Sequence, residues 1–171
     1  MTKFINQLIR VNHAGEFGAK RIYEGQMQYL KCHKDLKIVT TMYKQELKHL
    51  NFFNNELIKR DIRPTLLMPL WDKLAFMLGS VTAKVGSKAA MACTVAIEEV
   101  IEAHYQLQIN KLKKIPKEKK LLNQIKKIQR EEIEHKDIAI NNNIFNSHRY
   151  TILIMCIKKA TKYAIWLSQK I

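Results

Sequence analysis

Apolar residues return every three or four positions along most of this chain, the spacing of one helix face, and no stretch alternates as a half-buried strand does. Phe4, Leu8 and Val11, then Ile22, Met27 and Leu30, predict a helix from about Thr2 to Leu30. Leu47, Leu50, Phe53, Leu57 and Ile58 predict a second from about Leu36 to Arg60. It closes before Pro64, because proline disfavours helix in the residue that precedes it. The next stretch differs in kind. Between Thr65 and Val85 the only charges are Asp72, Lys73 and Lys84, and the pattern predicts a short amphipathic helix from about Pro69 to Val85. Gly86-Ser87 separates it from a fourth helix, about Lys88 to Lys114, which opens on the small residues Ala89, Ala90 and Ala92. Ile115-Pro116 leads to a fifth, about Lys117 to Asn141, with Asn141-Asn142-Asn143 as its frayed end. A sixth, about Ser147 to Ile171, carries Ile152, Met155, Cys156, Ile165, Trp166 and Leu167.

Composition agrees with an all-α chain. Only 5 glycines and 3 prolines punctuate 171 residues, too few for the turns of an all-β or α/β fold. With 47% apolar residues the chain can bury a core as one domain over residues 1–171. The formal charge is +15, and Lys111–Arg130 alone holds nine basic residues and one acid. Such a field attracts anionic lipid or nucleic acid, although a solvated basic face reads the same way. The basic run lacks interleaved aromatics, so no nucleic-acid partner is expected. Cys32, Cys93 and Cys156 are scattered and odd in number, which argues against a disulfide framework and for a reducing compartment. The first residues carry no apolar signal core, and no window of about 18 residues is uniformly apolar, so no membrane-spanning helix is predicted.

One pattern carries chemistry. Glu46-Leu-Lys-His49 and Glu132-Ile-Glu-His135 are both Glu-x-x-His pairs, and each follows a single glutamate, Glu16 by 30 residues and Glu98 by 34. Residues i and i+3 share a helix face, so each pair can aim at one point. Two such helices and two single-glutamate helices make the inner wall of a four-helix bundle holding two iron or manganese ions. Four carboxylates match the charge of two divalent ions, whereas unmatched carboxylates in a core cost several kcal/mol each. Chance alone supplies roughly 0.4 such pairs from this composition, so the weight lies in the doubled spacing and not in either pair.

Four segments then resemble one family: Arg10-Val-Asn-His-Ala-Gly-Glu16-Phe-Gly-Ala19, Arg63-Pro-Thr-Leu-Leu-Met-Pro-Leu-Trp71, Ala90-Met-Ala-Cys-Thr-Val-Ala-Ile-Glu98-Glu99 and Glu131-Glu132-Ile-Glu134-His135-Lys-Asp137. They are similar to the demethoxyubiquinone hydroxylases, carboxylate-bridged di-iron monooxygenases of ubiquinone biosynthesis, and the similarity spans nearly the whole chain. The resemblance implies a ferritin-like four-helix bundle with two additional helices, one of them short, apolar and membrane-interfacial. It implies Glu16, Glu46, His49, Glu98, Glu132 and His135 as ligands of two iron ions, with Glu46 and Glu132 bridging. His104 and Tyr105 become candidates for relaying protons or electrons, although a packed pair would look the same. Glu99, Glu131 and Glu134 are poorer ligand candidates. His13 either hydrogen-bonds the ligand set or packs. Gly15 and Gly18 each cost about 1 kcal/mol relative to alanine in a helix, which suggests a close approach of substrate or of another helix.

The implied reaction is hydroxylation of the ring of a polyprenylated methoxy-methyl-benzoquinol by dioxygen, with NADH as ultimate electron donor. No Gly-x-Gly-x-x-Gly fingerprint is present. The substrate's tail places the protein peripherally on a membrane, at the cytoplasmic face of a bacterial inner membrane or the matrix face of a mitochondrial one. A lipid-presenting partner protein and a homo-oligomer are both compatible with the resemblance. The segment Leu66–Val85 then serves as an interfacial door, with Trp71 and Phe76 at the headgroup boundary. A core helix would instead bury Leu70, Phe76 and Met77. The competing functional reading is a ferritin-like iron oxidase or storage protein, or a peroxide-reducing di-iron protein, which shares the ligand set.

Overall fold

The computed structural model describes residues 2–141 and 148–171. Among them are six α-helices and no strand: α1 (Thr2–Tyr29), α2 (His33–Lys59), α3 (Met68–Val85), α4 (Ser87–Leu112), α5 (Lys119–Ile140) and α6 (His148–Lys170). A 3-10 turn, Pro116–Glu118, precedes α5. The expected helices are all present, with ends shifted by one to three residues. The link between the first two is shorter than predicted, because α2 already begins at His33. The asparagines 142 and 143 and the expected start of the sixth helix at Ser147 lie outside the described residues. No helix is long and apolar enough to cross a membrane, among the described residues.

The chain forms two compact units: Met1–Ala90 with Lys162–Ile171, and Met91–Thr161. In the first, α1 packs along both α2 and α3. The α1–α3 crossing depends on two glycines. A Cβ at Gly79 would overlap the Ile22 carbonyl, and one at Gly25 would overlap the Phe76 carbonyl, so the helix backbones meet with no side chain between them. Of the two reasons expected for Gly18, a neighbouring helix is not one: a Cβ there would meet nothing within 4 Å. Around the crossing, Arg21 pairs with Glu24 and with Asp72 of α3 (2.7 Å), and its guanidinium lies 4.7 Å from the centre of the Phe76 ring. Burial alone would raise the Glu24 pKa. Its bonds to Arg21 and Lys20 outweigh that and hold it below the usual value.

The α2 C-terminus ends in a Schellman-type turn. Asp61 takes a left-handed conformation (φ 53°), its N–H donates to the Ile58 carbonyl, and the Ile62 N–H donates back to the Leu57 carbonyl (2.9 Å). Leu57 and Ile62 are both buried, which supplies the apolar contact that accompanies this turn. The tail of α6 is tied to the same unit. Trp71 Nε1 donates to Ser168 Oγ (3.0 Å) and Gln7 Nε2 donates to the Gln169 carbonyl (3.0 Å).

Several expected core positions are exposed instead. On α2 the buried face runs Val39, Met42, Glu46, His49, Phe53 and Leu57, which turns Leu47 and Ile58 outward; Ile58 is 80% exposed. On α6, Ile154 and Ile157 are buried, while Ile152, Met155, Cys156 and Trp166 are exposed. In both helices the apolar residues outnumber one stripe, and periodicity alone does not say which stripe finds a partner.

Candidate metal centre

The chemistry is built into the core stripes. On α2 the buried positions are 35, 39, 42, 46, 49, 50, 53 and 57, and on α5 they are 121, 125, 128, 132, 135 and 139. Each Glu-x-x-His pair fills two places in a row whose other members are apolar, except Asp35 in the first turn of α2. A helix that buries Val39, Met42, Phe53 and Leu57 therefore also buries Glu46 and His49. The same holds for Glu132 and His135 among Leu121, Ile125, Ile128 and Ala139.

In the first unit, Glu16 of α1 joins the α2 pair. His49 Nδ1 stands 3.3 Å from Glu16 Oε2 and 3.8 Å from Glu46 Oε2. In the second unit, Glu98 of α4 joins the α5 pair. His135 Nδ1 stands 3.1 Å from Glu132 Oε2 and 4.0 Å from Glu98 Oε1. All six residues are at most 2% exposed. Within each triad, one donor atom from every residue lies within 4.8 Å of the others. Metal–ligand bonds of about 2.0–2.2 Å place donor atoms that share an ion roughly 3–4 Å apart, the separations seen here. Each triad buries two carboxylates with one imidazole, an excess of two negative charges when the imidazole is neutral. A hard divalent cation balances that excess, and an oxygen-and-imidazole donor set without thiolate suits iron or manganese better than an iron–sulfur cluster. The chain's own residues thus fit a metal at each triad.

The other acidic candidates stay outside the triads. Glu99 pairs with Lys158, Glu131 lies 3.9 Å from Lys127, and Glu134 is exposed. His13 is buried one turn before Glu16, and its Nε2 bonds Asn54 Oδ1 of α2 (2.9 Å). Burial pushes its pKa down against the opposing effect of that bond, so the ring is neutral. The bond ties the ligand-bearing turn of α1 to α2, and nothing in the sequence pointed to Asn54. His104 is half-buried on α4. Gln108 Nε2 donates to its Nε2 (2.7 Å), an i,i+4 pairing that helical spacing makes readable in advance. Burial first, and the nearby Lys111 charge second, push the His104 pKa down to about 4. It rests uncharged at neutral pH with its proton on Nδ1. Tyr105 beside it is 2% exposed.

The apolar segment also resolves. On α3, Leu70, Leu74, Met77, Val81 and Val85 are all exposed, Met77 by 55%. These five cover an arc of about 80° at 100° per residue, and Lys73 and Lys84 sit along one edge of that arc, with exposed Leu66 in the turn just before the helix. Trp71 and Phe76, expected at a headgroup boundary, are turned inward and half-buried, Trp71 by its bond to Ser168 and Phe76 under Arg21.

The chain matches the family Ubiquinone biosynthesis protein COQ7 over residues 3–168. It is 43% identical over 169 residues to the NADPH-dependent 3-demethoxyubiquinone 3-hydroxylase, mitochondrial, of Homo sapiens, covering 98% of this chain and 78% of the relative. It is 42% identical over 168 residues to the 3-demethoxyubiquinol 3-hydroxylase of Rhodospirillum rubrum, with the same two coverages, 98% and 78%. The 5-demethoxyubiquinone hydroxylase, mitochondrial, of Saccharomyces cerevisiae is 39% identical over 184 residues, again covering 98% and 78%. The human protein's name gives NADPH as its reductant, where the resemblance had implied NADH.

Proposed function

This chain belongs to the Ubiquinone biosynthesis protein COQ7 family, and from that premise and its two buried triads we propose that it is a di-iron monooxygenase that hydroxylates the ring of a polyprenylated demethoxyubiquinol. The observation that carries the reading is the repetition of one buried triad, a lone glutamate with a Glu-x-x-His pair, in each half of the chain. Glu16, Glu46 and His49 would hold one iron and Glu98, Glu132 and His135 the other, with Glu46 and Glu132 as the two carboxylates the pair would share. When bound, the iron pair supplies the reductive activation of dioxygen. The overall change balances as ring C–H, O2, two electrons and two protons giving ring C–OH and water.

The protein's own part is physical. Burial of all six ligands keeps water from competing for them. Neutral His13, bonded to Asn54, keeps Glu16 in register with the α2 pair. His104, uncharged at neutral pH and bonded to Gln108, and Tyr105 beside it are the two groups this reading assigns to a proton or electron relay. The reductant is a reduced nicotinamide, and NADH and NADPH are distinguished by assaying both.

The substrate's tail requires a membrane, and the exposed arc of α3 meets one. Five to six aliphatic side chains face outward beside two lysines, on a chain of net charge +15, which suits an anionic lipid surface. The protein thus works as a peripheral enzyme, and a lipid-presenting partner protein or a second copy of the chain would act at that surface. The names of the relatives favour hydroxylation over iron storage. The test is quinone profiling by mass spectrometry in cells lacking this chain. Accumulation of the demethoxy intermediate, restored by the native gene and not by the Glu46→Ala variant, is expected. A normal quinone profile in the deletion strain would overturn the reading.

A further inference from the structure

A polar ladder joins α4 to α5 beside the second triad. Lys136 Nζ donates to Glu102 Oε2, and Gln129 Nε2 donates to the Glu102 carbonyl (3.2 Å) and to Gln106 Oε1 (3.2 Å). As α4 advances from Glu102 to Gln106, α5 runs back from Lys136 to Gln129, so the two helices are antiparallel here. Lys136 and Gln129 are seven residues apart on one face of α5, and Glu102 and Gln106 are four apart on one face of α4. Bonds at both levels fix how far α5 has slid along α4.

That register matters because of where the ladder sits. Lys136 directly follows His135, and Glu102 stands one turn beyond Glu98. Glu132 and His135 both come from α5, and that helix alone sets their 3.1 Å separation. Glu98 comes from α4, and its Oε1 stands 4.0 Å from His135 Nδ1. Whether the triad can close on one ion therefore depends on α4 against α5. A slip of one residue moves a helix by about 1.5 Å. With metal–ligand bonds of about 2 Å, that slip takes Glu98 out of reach of an ion held by α5. The ion pair is partly sheltered, Lys136 being 18% exposed and Glu102 33%. Glu99 is taken in the same way by Lys158 of α6, so both acids nearest Glu98 on α4 are paired with lysines instead of competing for the metal.

We propose that the Glu102–Lys136 pair, braced by Gln129, is a positioning device for the second triad: it holds α5 in the register that brings Glu132 and His135 to Glu98, and so sets how tightly that triad keeps its metal. Neither residue is a ligand, and both act through the helices that carry the ligands. The inference rests on the metal-centre reading and extends it to two residues at the protein surface. Their opposite charges give the device a signature. A cation near a metal site loosens a bound cation and an anion tightens it. If the two side chains acted through their fields alone, removing Lys136 would tighten the metal and removing Glu102 would loosen it. A register clamp needs both, so removing either one loosens the metal.

The experiment loads the full chain with ferrous iron without oxygen and titrates it with a coloured chelator, so binding is read without turnover. Both side chains reach solvent, so Glu102→Ala and Lys136→Ala are expected to fold, which circular dichroism checks. Each is expected to lower the affinity for the more weakly held iron about fivefold, the change that loss of a partly exposed ion pair permits. The two substitutions together are expected to be no worse than either alone. The exchanged pair, Glu102→Lys with Lys136→Glu, is expected to return to within about twofold of the native affinity. Cobalt(II) in place of iron reports the geometry: its visible absorption should change in each single variant and recover in the exchanged one. Opposite shifts in the two single variants would assign the effect to charge alone and overturn the clamp. Shifts below about twofold in both, or no recovery in the exchanged pair, would overturn it too while leaving the metal centre standing. A native chain that retains no iron would overturn both.

Discussion

α3 and α4 are consecutive, both rich in small and apolar residues, and they come to opposite ends. From Ala89 to Glu98 every residue of α4 is buried, so the helix is covered on all sides and Glu98 sits at the end of that stretch. α3 buries only Ala75, Gly79, Ser80, Thr82 and Ala83 on its inner face and leaves an aliphatic arc in the open. In each helix small buried residues let a neighbour approach closely: Gly79 admits the α1 backbone, and Gln26 Nε2 of α1 donates to the Ala90 carbonyl (3.1 Å). The difference lies in the outward side chains. Between Ala89 and Ile97 those of α4 are small or β-branched apart from Met91 and lie under a cover; those of α3 are Leu, Met and Val in a continuous row bordered by lysine, which suits a lipid surface better than water. Apolar content therefore says that a helix avoids water, and side-chain size and the flanking charge say what replaces it.

The largest effect expected from breaking this contrast lies on α4. Glu98→Ala leaves His135 and Glu132 without their third donor. Loss of one direct ligand exceeds the 10–100-fold typical of outer-shell changes, so hydroxylation should fall by more than about a hundredfold. Iron content by elemental analysis should drop while the circular dichroism spectrum stays helical. Full activity with iron supplied would refute the ligand assignment.

On α3 the corresponding change is Leu74→Glu with Met77→Glu. Both side chains are already in solvent, so the soluble protein should melt as before. Burying each in a membrane is worth about 2 kcal/mol, so vesicle binding in a sedimentation assay should weaken by tens-fold or more. Unchanged pelleting would separate the arc from the membrane and leave it to a protein partner.

Ala96→Leu tests the cover over α4 directly. Ala96 has no exposed surface, and a larger side chain at a fully buried site costs typically 1–3 kcal/mol. The same enlargement on the outer arc, Val81→Leu, should move stability by less than about 0.5 kcal/mol. Equal effects in denaturant melts would erase the distinction between the two helices.

How much of this was legible in advance follows from the same physics. The six helices were readable because 3.6-residue periodicity is a property of each segment alone. The burial of the two Glu-x-x-His pairs was readable because each fills two successive places in a core stripe, where a surface pair would have no reason to fall. Which of two apolar stripes is covered was not readable, so Leu47 and Ile58, expected on one face with Leu50 and Phe53, are outside. Nor was the partner of a glycine: Gly18 looked like a contact and meets open space, while Gly25 and Gly79, unremarked, make the α1–α3 crossing. Trp71 and Phe76 looked interfacial because they are aromatic, yet a hydrogen bond from one and a guanidinium over the other draw both inward.

The smallest expected effect sharpens the point where the complete burial of α4 gives way to a half-exposed face. His104 lies there, with its pKa pushed down to about 4 by burial and by Lys111. An unfolded histidine titrates near 6.5. Above that pH both states are neutral and the residue makes no difference. Between about 6.5 and 4 the unfolded chain takes up a proton that the folded chain refuses, so stability falls as pH falls; below about 4 both states are charged and the loss levels off. Because His104 is only half-buried, solvent screening reduces the effect to about 1 kcal/mol. Carboxylates titrate in the same window, so the measurable quantity is a difference. His104→Gln should lose less stability than the native chain between pH 7 and pH 4.5 in chemical denaturation, and parallel curves would mean that this end of α4 is as open to water as the arc of α3.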